Sequence, residues 1–140
     1  KGVSTHGINW DVGYPYVNEK SFASLKKWGV NAIRLAMYTQ DYNGYCVTDK
    51  ENQKKLTKTI DKGVKAATSQ GMYVIIDWHI LNDQTPMKYK KQAKSFFKKM
   101  AKKYKNNHNV MFEICNEPNG GTSWTTIRSY ADDIIKTIRK

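Results

Sequence analysis

The stretch FEICNEPNGG, Phe112 to Gly121, carries an apolar run into the pair Asn116 and Glu117, locks it with Pro118 and then loosens into Asn and Gly. A residue before proline is pushed towards an extended backbone, so Pro118 should hold Glu117 in strand-like geometry at the last position before a loop. The Asn-Gly-Gly that follows lets the chain turn away and leaves open space above the carboxyl. A carboxyl on a half-buried strand end loses the hydration that favours its anion, which suits it to donating a proton near neutrality. That is general acid/base chemistry. The competing reading is a structural glutamate paired with Arg34 or a lysine.

The elements that must aim this residue are legible in the pattern. Four short runs, GVSTHGINW from Gly2, VNAIRLAMY from Val30, MYVIIDWH from Met72 and NVMFEICNE from Asn109, punctuate the chain. The last three are nearly continuous in apolar residues, as expected of strands covered on both faces. Between them the period changes to three and four: Leu56, Ile60, Val64 and Ala67; Tyr89, Ala93, Phe96, Phe97, Met100 and Tyr104; Trp124, Ile127, Ala131, Ile134, Ile135 and Ile138. These predict amphipathic helices with lysines outside, and Phe22, Leu25 and Trp28 predict a shorter one. On this spacing Trp28 and Trp124 are expected in the core, and Trp78, opposite in parity to Asp77 and His79, under the helices. Asn18 is a plausible N-cap, Thr48 with Glu51 fits a capping box, and Gly29 and Gly71 stand where helices should end.

The result is βα repeated four times. Parallel strands joined by helical crossovers build either an open doubly wound sheet or a section of a (β/α) barrel, and the pattern alone leaves both open. In both, function gathers at the C-terminal ends of the strands, where His6, Arg34, Asp77 with His79, and Asn116 with Glu117 fall. No glycine-rich phosphate loop follows any strand.

At 140 residues the chain is long enough for one domain and short for two. Its 24 Lys and Arg against 12 Asp and Glu give +12, yet every cation but Arg34, Arg128 and Arg139 is a lysine. Planar recognition of phosphates and bases favours arginine, so the charge predicts solvated helix faces and no nucleic-acid partner. Cys46 and Cys115 form no metal-ligand pattern, and no metal or cofactor is expected. No run of 18 apolar residues is present, so no membrane-spanning helix is expected. A chain opening on Lys1 reads as a mature or trimmed form.

STHGINW, IRLAMYT, VIIDWHILND and EICNEPNG, in this order and spacing, resemble the first four strands of family 5 glycoside hydrolases, particularly the bacterial cellulases (endo-β-1,4-glucanases). The resemblance implies an α/β fold in which four consecutive βα units form half of a TIM (β/α)8 barrel. Residues 1–140 would then be a single N-terminal half-barrel of a glycoside hydrolase catalytic domain. It implies a secreted, extracellular enzyme that hydrolyses β-1,4-glycosidic bonds of a β-glucan with retention. Glu117 matches the general acid/base, Asn116 the contact to the sugar 2-hydroxyl, and Arg34 the arginine that supports the nucleophile, with pairing to Asp77 as its structural alternative. His6 and His79 match sugar-binding histidines, and Trp10 and Tyr38 match aromatics that stack on glucose.

Retention needs a second carboxylate about 5–5.5 Å from the first. In the family it ends the seventh strand, whereas Glu117 is the last glutamate here. A complete barrel takes about 250 residues, so the expected partner is the C-terminal half-barrel or a second copy of this chain. A two-fold homodimer would set the second Glu117 at the eighth-strand position, which suits retention poorly. Alone, the half should expose two strand edges and an apolar interior, and the alternative function is a noncatalytic carbohydrate-binding or self-assembling half-barrel.

Overall fold

A computed structural model describes all of residues 1–140. Four strands, β1 (Gly2–Ser4), β2 (Ala32–Tyr38), β3 (Tyr73–His79) and β4 (Val110–Glu113), alternate with α1 (Glu19–Lys27), α2 (Lys50–Ser69), α3 (Lys90–Tyr104) and α4 (Trp124–Ile138). Every strand pair is parallel, and the spatial order is β1-β2-β3-β4. A doubly wound sheet reverses its order at a switch point, and a barrel does not. The unbroken order therefore selects the barrel: the sheet is four consecutive βα units of it.

Local chemistry sets the helix ends. Asn18 Oδ1 accepts the Ser21 amide at 2.8 Å and starts α1. The cap of α2 is Asp49, which accepts the Asn52 amide at 2.8 Å, while Thr48 Oγ1 donates back to the Gly44 carbonyl at 3.0 Å. The capping box expected at Thr48 and Glu51 is thus replaced by an aspartate one residue later, where the helix dipole favours an anion. Gly29 and Gly71 follow α1 and α2 with φ of +79° and +65°.

The core lies between sheet and helices. Ile33, Leu35 and Met37 of β2 and Val74, Ile76 and Trp78 of β3 alternate along their strands and are at most 1% exposed. They join Leu56, Ile60 and Val64 of α2 and Phe96, Phe97 and Met100 of α3 in one apolar cluster. Burial of each such side chain contributes about 1.5–3 kcal/mol. A Cβ at Gly63 would lie 2.7 Å from Leu35 Cδ1, so its absence lets α2 come close to β2. Trp78 is under the helices as its parity predicts, 5.1 Å from the Phe96 ring.

Trp28 and Trp124 are not core, being 74% and 73% exposed. Trp28 stands at the C-cap of α1, already leaving the helix, and Trp124 is the first residue of α4, ahead of the turns that meet α3. Periodicity locates a face but not where a helix begins to touch its neighbour.

The opposite face of the sheet carries Ala32, Arg34, Ala36 and Tyr38 beside Tyr73, Ile75, Asp77 and His79. Tyr73 and Met111 lie open there, 52% and 43% exposed, but the middle of the face is a charged network. The apolar interior expected from sequence is therefore apolar only in part. β1 and β4 each pair on one side alone. No helix is long and apolar enough to cross a membrane.

Candidate active site

The register sets Ala36, Asp77 and Glu113 side by side, between the row of Arg34, Ile75 and Met111 and the row of Tyr38 and His79. Arg34 forks onto Glu113, Nε donating to Oε2 at 2.6 Å and Nη2 to Oε1 at 2.8 Å. This is the two-pronged geometry that makes arginine–carboxylate pairs strong. Nη2 also reaches Asn116 Oδ1 at 2.8 Å and Asp77 Oδ2 at 2.9 Å.

Asp77 Oδ2 meets His79 Nδ1 at 2.6 Å as well. Asn116 Nδ2 faces His79 Nε2 at 3.3 Å and donates to the Ile80 carbonyl at 2.9 Å. With an arginine donor on its oxygen and a carbonyl on its nitrogen, the Asn116 amide has one orientation. That assigns the His79 proton to Nδ1, facing the carboxylate, and leaves Nε2 as acceptor.

The network sets one cation, Arg34, against two carboxylates, Asp77 and Glu113. The Glu113 hydrogen bond holds the Arg34 guanidinium above its ordinary value; partial burial opposes this, and the charges of Asp77, Glu113 and Glu117 add to it. Burial pushes the Asp77 carboxyl upward, against the His79 hydrogen bond and the Arg34 charge. Its second oxygen, Oδ1, is buried without a partner, which leaves that desolvation uncompensated.

Beside the network runs an aromatic wall. His79 lies 4.2 Å from Tyr38, Tyr38 5.3 Å from Trp10, and Trp10 6.2 Å from His6, centroid to centroid. A Cβ on Gly7 would come within 2.0 Å of Trp10, so that glycine lets the edge of the indole approach the chain. Asn9 holds the end of β2, its Oδ1 accepting the Tyr38 amide at 2.9 Å.

Six of the seven candidates, His6, Trp10, Tyr38, His79, Asn116 and Arg34, thus form one continuous surface. Glu117 is the exception. The strand expected to end on it ends at Glu113, and Glu117 stands past it, exposed, with no hydrogen bond or ion pair to its carboxylate. Past the ladder, Asn116 turns its side chain to Ile80, and Pro118 has no N–H with which to resume pairing. The half-burial expected of this carboxyl is not supplied by these residues, and Arg34 pairs with Glu113 instead.

Its backbone is nevertheless fixed. The Asn116 amide donates to the Trp78 carbonyl at 3.1 Å, and the Tyr130 hydroxyl on α4 donates to the Ile114 carbonyl at 2.6 Å. Asn119 Nδ2 reaches the Leu81 carbonyl at 3.1 Å and that of Glu117 at 3.0 Å. The carboxyl itself is exposed, and its backbone is held by contacts to the loop after β3.

Sequence reasoning missed Glu113 and Tyr130. Glu113 had a signal, a charge inside the apolar run VMFEIC at the parity that faces Asp77. Tyr130 lay in the helical period without one for its hydroxyl. Both cysteines are free, and burial pushes each thiol up to about 12. No three His, Cys, Asp or Glu side chains converge as a metal-ligand set.

Comparison with known proteins fits this geometry. The family model for cellulase, glycosyl hydrolase family 5, matches residues 1–140. The chain belongs to glycosyl hydrolase family 5. It is 59% identical over 140 residues to endoglucanase A of Butyrivibrio fibrisolvens, covering 99% of this chain and 32% of that protein. It is 51% identical to an endoglucanase of Clostridium saccharobutylicum, covering 99% and 30%. Among solved structures it superposes on the catalytic domain of the Thermobifida fusca endoglucanase Cel5A in complex with cellotetraose. There the TM-score is 0.87 at 39% identity, over 99% of this chain and 43% of that one. The chain thus spans about a third of the length of the curated relatives it matches. Its family 5 βα units match the fold of those neighbours.

Proposed function

We propose that this chain supplies the acid/base half of the active site of a retaining endo-β-1,4-glucanase, with Glu117 as the proton donor. The observation that carries the reading is the open carboxyl of Glu117 on a pinned backbone directly after Asn116, which itself meets His79 at the end of the aromatic wall. A β-glucan chain lies along Trp10 and Tyr38, its CH-rich faces on the rings. His6, His79 and Asn116 hydrogen-bond its hydroxyls.

In the first step Glu117 gives its proton to the departing glycosidic oxygen while a second carboxylate attacks the anomeric carbon, forming a glycosyl ester. In the second, Glu117, now an anion, takes a proton from water as the water oxygen displaces that carboxylate. The chain's own spare carboxylates do not serve: Glu113 is clamped by Arg34 and Asp77 is buried. The nucleophile, and the surface that desolvates Glu117, therefore come from a complementary C-terminal half-barrel. Polymeric glucan does not cross membranes, which supports a secreted, extracellular enzyme.

Release of reducing sugar from cellulose tests this. The chain alone should release little or none, and a polypeptide extended through the remaining βα units should release it readily. Full turnover by the chain alone would refute the division of labour. A second reading, a noncatalytic glucan-binding or self-associating half-barrel, is favoured by the exposed Tyr73 and Met111 on the inner face. It predicts glucan binding or dimers with no turnover in the extended polypeptide either.

A further inference from the structure

The loop after β2 holds an aromatic residue in a conformation that aromatic residues rarely adopt. Tyr42 has φ +53° and is followed by Asn43 at +59°. A bulky side chain in the left-handed region costs about 1–2 kcal/mol and persists only where the surroundings enforce it. Here both flanks are tied down. Asp41 Oδ1 accepts from Asn82 Nδ2 at 2.6 Å, and the Asn43 carbonyl accepts from Asn52 Nδ2 at 2.9 Å and from Asn9 Nδ2 at 3.3 Å. A Cβ on Gly44 would meet the Thr39 backbone at 2.4 Å, so the loop closes tightly only on glycine.

The enforced conformation delivers the Tyr42 ring to the aromatic wall. It lies 4.2 Å from Trp10 at an interplanar angle of 30°, and 5.4 Å edge-on from Tyr38. Tyr42 remains 58% exposed, while Trp10 and Tyr38 are partly buried. Other open aromatics, Tyr16 at 63%, Trp28 and Trp124, meet no ring.

We infer that Tyr42 is a sugar-stacking residue that extends the wall past Trp10 by one more unit of a β-glucan chain and so sets the preferred substrate length. The inference rests on the glucan reading above. The outer face of the phenol is the free apolar platform, and stored backbone strain keeps it there before substrate arrives, lowering the cost of ordering it on binding.

Calorimetric titration of the chain with cellobiose and cellopentaose tests this, with Tyr42→Ala, Tyr42→Phe and Trp10→Ala as variants. Tyr42→Ala should weaken cellopentaose about fivefold, the size of one lost ring contact, and leave cellobiose unchanged. Tyr42→Phe should bind as the unmutated chain does, and Trp10→Ala should weaken both sugars. Equal binding of cellopentaose by Tyr42→Ala would overturn the inference. Tighter binding would also overturn it, by showing that Tyr42 plugs the face of Trp10. If the unmutated chain binds neither sugar, the glucan reading falls and takes this inference with it.

Discussion

The two ends of the functional surface are built differently. Around Arg34, five side chains are linked to one another at 2.6–3.3 Å, with Asp77 Oδ1 alone unpartnered, on strands whose other face is sealed against α2 and α3. At Glu117 the exposed carboxylate makes no hydrogen bond or ion pair, the chain has left the ladder, and no strand pairs with the far side of β4. The first region is tied together within the chain; the second has a fixed backbone but an open carboxyl. The difference matters because electrostatic preorganisation and the desolvation of a reacting acid are separate tasks. The first can be performed by four βα units, and the second needs walls on both sides.

The sharpest way to break the comparison is in the sealed layer. Phe96→Ala should cost about 4 kcal/mol in urea denaturation, since it opens a cavity against Trp78, Phe97 and Tyr45. Trp124→Ala, at the open margin, should stay within about 0.5 kcal/mol. Equal losses would mean that the two regions are equally packed.

Next comes the network itself. Arg34→Met removes the only cation between Asp77 and Glu113 and should cost about 3 kcal/mol, because it leaves a buried carboxylate uncompensated. Asp77 would then gain its proton more readily, so the penalty should shrink as pH falls. A loss that does not change with pH would show that packing, rather than charge, carries the effect.

The smallest effect belongs to the outer surface, where Asp61 lies between Lys103 at 2.9 Å and Lys65 at 3.0 Å. Burial acts against its anion, but hydrogen bonds from the two lysines outweigh it and hold the carboxyl below the ordinary value. A lowered folded-state value stabilises fully above the unfolded value of about 3.9 and is lost as pH falls through the lowered one. Asp61→Asn should therefore cost about 0.5 kcal/mol at pH 7 and progressively less as pH falls below about 3.9, read from paired melts. A cost that does not shrink as pH falls would rule out the charge as its source.

How much of this was legible in sequence follows the same division. Strands and helices were readable because Ile33, Leu35, Val74 and Ile76, or Leu56, Ile60 and Val64, express a period that burial enforces. The candidates on the wall and network were readable because polar or aromatic types ended apolar runs. Glu113 was passed over because Glu117, beside proline, carried the louder signal. The exposure of Glu117, Trp28 and Trp124 was not readable, because a periodic pattern records what a residue prefers and not which neighbours the chain supplies. Tyr42 was invisible, since its placement depends on φ and on anchors at Asn9, Asn52 and Asn82, distant in sequence.

The role of Glu117 is tested most directly by the substrate dependence of Glu117→Gln in the polypeptide extended through the complete barrel. Hydrolysis of cellotetraose, whose leaving group needs a proton, should fall about 10²–10⁴-fold. Formation of the glycosyl ester from a dinitrophenyl glucoside, whose leaving group departs as a stable anion, should stay within a few-fold of the unmutated rate. Equal losses on both substrates, or none on cellotetraose, would contradict an acid/base role for this side chain.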